Sequence, residues 1–255
     1  MVWAGLAVVC AGQSQPVVSQ PAESQPASAP SNQAEPARPR VAMEIECDGE
    51  DWGRIVLELY PDKARVTVDN FLRYVDEGFY DGTIFHRVIP TFLIQGGGYT
   101  SLTEPKKTGL GLPIRNEART GLKNTRYTIA MARARHPTSA TSQFFINLDD
   151  NSKLDWPGQD GSGYCAFGRV VEGFEVVDRI EQVKTQPHPT MNADTTPSAP
   201  IVPPVIKRAY QVDEHGVARP PRTRRPMTQP VREPEAGPQQ PQAESPDTEE
   251  SEIPE

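Results

Sequence analysis

Phe85-His86-Arg87-Val88-Ile89-Pro90, followed by Phe92, Gln95 and the triplet Gly96-Gly97-Gly98, is the stretch from which the rest of this chain is best read. Thr83 to Val88 and Phe92 to Gly96 have the apolar character of strands, and Pro90 separates them. One arginine stands beside an apolar wall, with an amide side chain eight residues further on. That grouping is poor for proton transfer or nucleophilic attack. It suits a pocket that holds a neutral apolar group and directs hydrogen bonds at a backbone. His86 is read as a packing residue and Ser142 has no base placed for it by motif. The glycine triplet lacks the Lys-Ser/Thr and the helix start of a phosphate loop, so it reads as a tight corner.

Outward from this segment, alternation of apolar and polar residues dominates. Val41 to Cys47 alternates, Asp48-Gly49 follows as a turn, and Gly53 to Tyr60 alternates around Ile55, Leu57 and Leu59, which predicts a hairpin. Thr67 to Gly78 changes period: Val68, Phe71, Leu72 and Val75 share a helical face, with Asp69 near the start and Gly78 as terminator. Tyr127 to Arg133, Gln143 to Asn147 and Tyr164 to Val171 read as further strands. Phe174 to Val183 reads as a second helix, with Phe174, Val177, Ile180 and Val183 on one face. Val205 to Val212 supplies a closing strand. Many short strands with two helices predict a mostly β domain, an antiparallel barrel or sandwich whose ends the helices cover.

Proline divides the 255 residues. Six prolines lie between Pro16 and Pro39 and nine between Pro220 and Pro254, in stretches rich in Gln, Ser, Ala and Glu. Such segments bury too little apolar surface to offset their ordering entropy, so 13–40 is expected to be a linker and 214–255 a disordered tail. The folded domain is expected over 41–213, ample for a core of its own. After Arg232 the chain carries eight acidic residues and no Lys or Arg, which accounts for the net charge of −8. Arg219, Arg222, Arg224, Arg225 and Arg232 form a basic stretch just before, without the aromatic interleaving of a nucleic-acid surface.

Residues 1–12 read as the end of an export signal. Val2 to Val9 is apolar but too short to span a bilayer, and it ends at Cys10-Ala11-Gly12. The basic start of such a signal is missing, as a misassigned start codon would leave it. The segment resembles a bacterial lipoprotein signal with Cys10 as the lipidated residue, although Val9 stands where a small residue is usual; cleavage after Ala11 or Gly12 without lipid is the alternative. The expected location is the periplasm or cell envelope, with a membrane tether through the lipid, or the cytoplasm if the segment is not a signal. Cys47 and Cys165 read as free core cysteines, with pairing left open. No spacing suggests a metal site, and no cofactor is implied.

The motifs then carry a family resemblance. Asp69-Asn70-Phe71, Gly78-Phe79-Tyr80-Asp81-Gly82, the opening segment, Ala130-Met131-Ala132, Ser142-Gln143-Phe144-Phe145-Ile146 and Phe167-Gly168 followed by Val170 to Gly173 stand in an order that resembles the cyclophilin-type peptidyl-prolyl cis-trans isomerases. The loop from Ala132 to Gln143, with Arg133, Pro137 and Thr138, is similar to the bacterial branch, as is Gly163-Tyr164-Cys165. The resemblance implies a closed eight-stranded antiparallel barrel capped by two α-helices, acting as a monomer on proline-containing polypeptides.

The resemblance also implies a site. Arg87 matches the catalytic arginine and Gln95 the amide that orients it. Phe92, Phe145 and Leu154 match the wall of the proline pocket, Leu93 stands where Met is usual, and Gln143 matches a further groove residue. Ala132 and Arg133 match the pair that meets the residue ahead of proline, with Arg133 in place of Asn. Tyr164 stands where eukaryotic members have His. Lys153 replaces an aromatic residue that helps to hold cyclosporin, so weak binding of that inhibitor is implied. The alternative on the same fold is a proline-binding chaperone or scaffold without catalysis.

Overall fold

The structure, a computed structural model, describes Met1 and residues 38–120, 122–189 and 197–220. Cys10, most of the expected 13–40 linker and the tail beyond Pro220 lie outside the described residues. The described residues from Arg38 onward belong to one compact unit.

The predicted hairpin is present as β1 (Arg40–Cys47) and β2 (Glu50–Leu59), with Met43 opposite Ile55. Asp48 and Gly49 both take positive φ, 54° and 77°, the geometry that lets a two-residue turn follow the strand twist. Helix α1 (Arg65–Asp76) comes next, then β3 (Thr83–Ile89) and β4 (Leu93–Gly96). A two-stranded ribbon follows, β5 (Tyr99–Ser101) with β6 (Glu104–Pro105). The remaining barrel strands are β7 (Thr128–Met131), β8 (Phe144–Asn147) and β9 (Ala166–Glu172). After α2 (Phe174–Glu181) the chain forms a second ribbon, β10 (Thr185–Gln186) with β11 (Ala199–Pro200), and closes with β12 (Val205–Val212). The eight long strands form a closed antiparallel barrel in the order β1-β12-β3-β4-β8-β7-β9-β2. Closure leaves no free edge to recruit another chain.

Alternation sorts the side chains into two layers. Val41, Met43, Ile45, Ile55, Leu57, Leu59, Ile94, Ile129, Phe144, Ile146 and Phe167 fill the interior, together with Val68, Phe71, Leu72 and Val75 of α1 and Val177 and Ile180 of α2. The Phe71 ring lies 5.2 Å from Tyr80 and Phe167 and 5.7 Å, edge-on, from Phe144, so α1 is locked to the barrel by aromatic contacts. No helix among the described residues is long and apolar enough to cross a membrane.

Three local expectations shift. The start of α1 is held by a distant residue: Glu117 accepts the N–H groups of Val66 and Thr67 and the Thr67 hydroxyl, while Asp69 pairs with Arg65 at 2.9 Å. A carboxylate at a helix N-terminus satisfies otherwise orphaned donors. In α2 the buried face is Val176, Val177 and Ile180; Phe174 is 39% exposed and rests edge-on against Tyr127. The folded part also runs past the expected boundary at 213. A turn at 213–216 folds the chain back, and the Arg219 N–H donates to the Gln211 carbonyl at 2.8 Å.

Candidate active site

The site is built on the outer face of four neighbouring strands. Leu93 of β4, Phe145 of β8, Ala130 of β7 and Ala166 of β9 all turn away from the interior and form a second apolar cluster with Ala132. Phe92, Leu122, Leu154 and Tyr164 from the connecting loops pack against it, half-buried. The three alanines lie low beneath the larger side chains, Ala130 and Ala166 at 0% and 1% exposure, and the half-buried Phe92, Leu122, Leu154 and Tyr164 are the part of this apolar face that a ligand would meet. The Phe145 and Tyr164 rings meet edge-on at 5.7 Å.

Arg87 reaches this face because of a bulge. Phe85 pairs with Gly96 but Arg87 pairs with Gln95, so two steps on β3 match one on β4 and His86 is the extra residue. Phe85 and Val88 can then both point inward, as they do, while Arg87 is carried outward. Gln95 sits between Arg87 on one side and Phe145 on the other. Its Nε2 donates to the side-chain oxygen Oε1 of Gln143 at 2.9 Å. A charged donor, two amides and an apolar recess therefore share one cross-strand row.

The glycine triplet is a corner that makes room for this row. Gly97 has φ 77°, and a Cβ there would lie 2.8 Å from Tyr80. A Cβ on Gly98 would lie 2.4 Å from Gln143 Cγ, so Gln143 lies directly over that backbone. Ser142 is buried, donates to the Gly97 carbonyl at 2.8 Å, and is part of the scaffold of this corner.

Arg133 is placed differently from the other predicted residues. Its side chain is 3% exposed, donates to the Gly163 carbonyl at 2.8 Å and to the Asp160 carboxylate, and lies over the Tyr164 ring at 4.4 Å. This contact, with the Gly163 and Ser162 N–H groups, holds the Asp160 carboxyl down at about 2. The guanidinium thus props the loop that carries Tyr164, and the backbone of 132–133, tied to Gln143 by the Ala132 N–H at 3.0 Å, is the part left to face the groove.

A buried amide network was missed by sequence reasoning. Asn151 Nδ2 donates to the Phe92 carbonyl and to Asn147 Oδ1, each at 2.8 Å. Asn147 Nδ2 donates to Thr128 Oγ1 at 2.9 Å and Asn124 Oδ1 at 3.3 Å. Asn124 Nδ2 donates in turn to the Tyr164 carbonyl at 3.2 Å. The circuit closes through Leu154, whose N–H donates to Asn151 O and whose carbonyl accepts from Tyr164 N–H, each at 2.8 Å. Phe92 of the β3–β4 connection and Leu154 and Tyr164 of the β8–β9 connection are pinned to one another, with Asn124 joining from the segment before β7. Asn124 and Asn151 in loops and Asn147 at the end of β8 read locally as turn formers, so only their convergence reveals this role.

His86 is fully buried, packs tilted by 40° against the Tyr99 ring at 4.4 Å and lies 6.3 Å from the His188 ring. Burial, reinforced by His188 and Arg87, lowers its pKa to about 3. Cys47 and Cys165 are free and buried. Burial pushes the Cys165 thiol up to about 12, so it stays protonated.

A closed eight-stranded β barrel that carries an arginine, two amides and an apolar cluster on one outer face defines the structural class. Comparison with known proteins gives the family. Residues 42–203 match the family described as "Cyclophilin type peptidyl-prolyl cis-trans isomerase/CLD". A peptidyl-prolyl cis-trans isomerase of Streptomyces antibioticus is 57% identical over 135 residues, 52% of this chain and 80% of the relative. Peptidyl-prolyl cis-trans isomerase A of Dickeya dadantii is 54% identical over 59% of this chain and 76% of its own length. The B enzyme of Escherichia coli is 55% identical over 52% and 81%. The chain belongs to this family and is a cyclophilin-type peptidyl-prolyl cis-trans isomerase of the bacterial kind.

Proposed function

We propose that Arg87 and Gln95 carry the isomerisation, that Phe92, Leu93, Phe145, Leu154 and Tyr164 seat the proline ring, and that Gln143 and the backbone of Ala132 and Arg133 hold the neighbouring chain. The observation that carries this reading is the row Arg87–Gln95–Phe145, side by side on the outer face against the second apolar cluster.

The reaction needs no proton transfer. Rotation about a peptide bond faces a barrier of about 18–20 kcal/mol because the C–N bond has double-bond character. For X–Pro both isomers are populated and exchange takes tens to hundreds of seconds. At the perpendicular geometry conjugation is lost and the nitrogen regains a lone pair. A donor aimed at that lone pair binds the twisted state better than either planar one, which is what lowers a barrier. Arginine suits the task because it is always charged and donates in a fixed fork. An acceleration of about five decades asks for about 7 kcal/mol. Removing one preorganised donor typically costs a factor of about 10²–10³, or roughly 3–4 kcal/mol, leaving the rest to the groove and to water exclusion.

The domain is read as working outside the cytoplasm on exported proteins. Residues 1–12 act as signal, 13–40 as linker, 41–213 with its extension to Arg219 as the isomerase and the remainder as a tail, the protein being monomeric. The apolar start ending at Cys10 and the Pro/Gln/Ser linker support a lipid tether. A protease-coupled assay on a short X–Pro peptide tests the chemistry: Arg87→Ala should lose about 10²-fold or more of the catalysed rate, and equal rates would refute the role. Incorporation of a labelled lipid precursor, abolished by Cys10→Ser, tests the tether.

A further inference from the structure

The row at Arg87 leaves unexplained why an X–Pro isomerase carries nine prolines of its own between Pro220 and Pro254, mixed with eight acidic residues after Arg232. Resting on the isomerase reading, we propose that this acidic, proline-rich segment from Pro230 to Pro254 is an intramolecular ligand of the groove and competes there with outside polypeptides.

Reach is the first argument. The described chain leaves beside Gln211, to which Arg219 is hydrogen-bonded. Val205 pairs with Ile84 and Ile206 with Thr83, so β3 runs antiparallel to β12 and Arg87 lies beyond the Val205 end. The exit and Arg87 are thus at opposite ends, about 30 Å apart along the strands at ~3.3 Å per residue. An extended chain covers at most about 3.3–3.6 Å per residue, so Pro221 and Pro226 fall short and Pro230 is the first to arrive. Pro234, Pro238, Pro241, Pro246 and Pro254 arrive with slack. For a flexible chain the root-mean-square span, ~5–6 Å times the square root of the length, matches that distance near thirty residues, and a proline-rich chain matches it sooner.

Concentration is the second argument. A tethered ligand whose span matches its site experiences an effective concentration on the order of millimolar. Michaelis constants run from about 1 μM to 1 mM, so a segment that resembles substrate occupies half the groove or more.

Charge is the third argument. Lys153 is exposed next to the wall residue Leu154, and Lys123, 63% exposed, follows the wall residue Leu122. Of the charged groups at this face, Lys123 pairs with Asp155 at 3.6 Å and Arg133 with Asp160, while Asp149 and Asp150 accept the N–H groups of Asp150 and Arg126. Lys153, exposed and in none of the ion pairs among the described residues, is the cation that an acidic strand would meet at this face, and the attraction fades with salt.

The test uses the full chain, with Pro230, Pro234, Pro238, Pro241, Pro246 and Pro254 all changed to Ala, and an uncharged X–Pro peptide. Relative to wild type, KM should fall about twofold or more at low salt with kcat unchanged. Wild-type KM should fall toward the variant's as salt rises, and a second full chain with the eight acidic residues after Arg232 neutralised should lose that salt dependence. Equal KM in two active proteins overturns the proposal. A KM difference that disappears on diluting the enzyme also overturns it, because the occupant is then the tail of another copy. Loss of activity in both proteins points instead to failure of the isomerase reading itself.

Discussion

Asn151→Asp replaces one side chain by its isostere at the centre of the amide network, and its effects can be worked out. Asn151 Nδ2 gives two hydrogen bonds of 2.8 Å, to the Phe92 carbonyl and to Asn147 Oδ1. A carboxylate sets an acceptor against both. Each lost bond costs about 1 kcal/mol, and each buried acceptor left without a partner about 1–3 kcal/mol. The Phe92 carbonyl keeps the Leu148 N–H at 2.9 Å, so the loss there is partial. We expect a stability loss of about 2–3 kcal/mol. The Phe92 carbonyl is thereby released from one of its two donors. The proline pocket should loosen, so KM for an X–Pro peptide should rise up to about tenfold, the equivalent of about 1.4 kcal/mol, with kcat falling less. The discriminating readout is pH. Two acceptors facing the carboxyl favour its neutral form, raising its pKa. Once protonated it regains one donor, so the variant-to-wild-type ratio of KM should shrink as pH falls. Asn151→Ala, which cannot titrate, should show a constant ratio. A normal KM in both variants, or a pH-independent ratio in the Asp variant, would refute the claim that the network positions the pocket.

Acid should weaken the fold through His86. Its pKa is about 3 in the folded protein against ~6.5 unfolded, so between those values the unfolded chain binds the extra proton and stability falls as pH falls. At pH 5 the deficit from this group is about 2 kcal/mol, and His86→Phe should flatten the urea-unfolding profile between pH 7.5 and 5 by that amount; an unchanged slope would rule it out. Gly98→Ala should displace Gln143, because the added Cβ would lie 2.4 Å from its Cγ, and so break the 2.9 Å bond to Gln95. One bond of about 0.5–1.5 kcal/mol predicts a roughly twofold to tenfold loss of kcat/KM. Little change in Tm is expected, since the clash is with a flexible side chain; a folded variant with full activity would count against a role for that amide pair.

Much of the barrel was legible along the chain. Period-2 alternation located β1 and β2 within a few residues, because one face of each strand meets the interior, and β8, whose four residues are all buried, was legible as a short apolar run. The helices were found by their apolar stripes, and α2 starts at the expected Phe174, but α1 starts at Arg65, ahead of the expected Thr67. α1 takes its cap from Glu117, some fifty residues away, and α2 buries Val176 in place of Phe174. Of the expected wall residues, Phe92, Leu93, Ala132, Phe145, Leu154 and Tyr164 all fall in one cluster, which also contains Leu122, Ala130 and Ala166. Those three had no local signal: small or aliphatic residues look alike whether they floor a groove or fill a core.

Chain order by itself determined which residue types meet which face, since alternation and helical period are properties of the backbone, and the ordered motifs indicated the family. Position 87 shows the limit of that reading. Strict alternation from Phe85 would have turned Arg87 inward, and the extra residue at His86, visible only once β3 is paired with β4, turns it out beside Gln95. Likewise Asn124, Asn147 and Asn151 become a brace for the pocket, and Arg133 a prop for Tyr164, only when loops far apart in sequence are brought together. Registers and long-range hydrogen bonds depend on the simultaneous fit of many strands, and that fit is a property of the closed barrel as a whole.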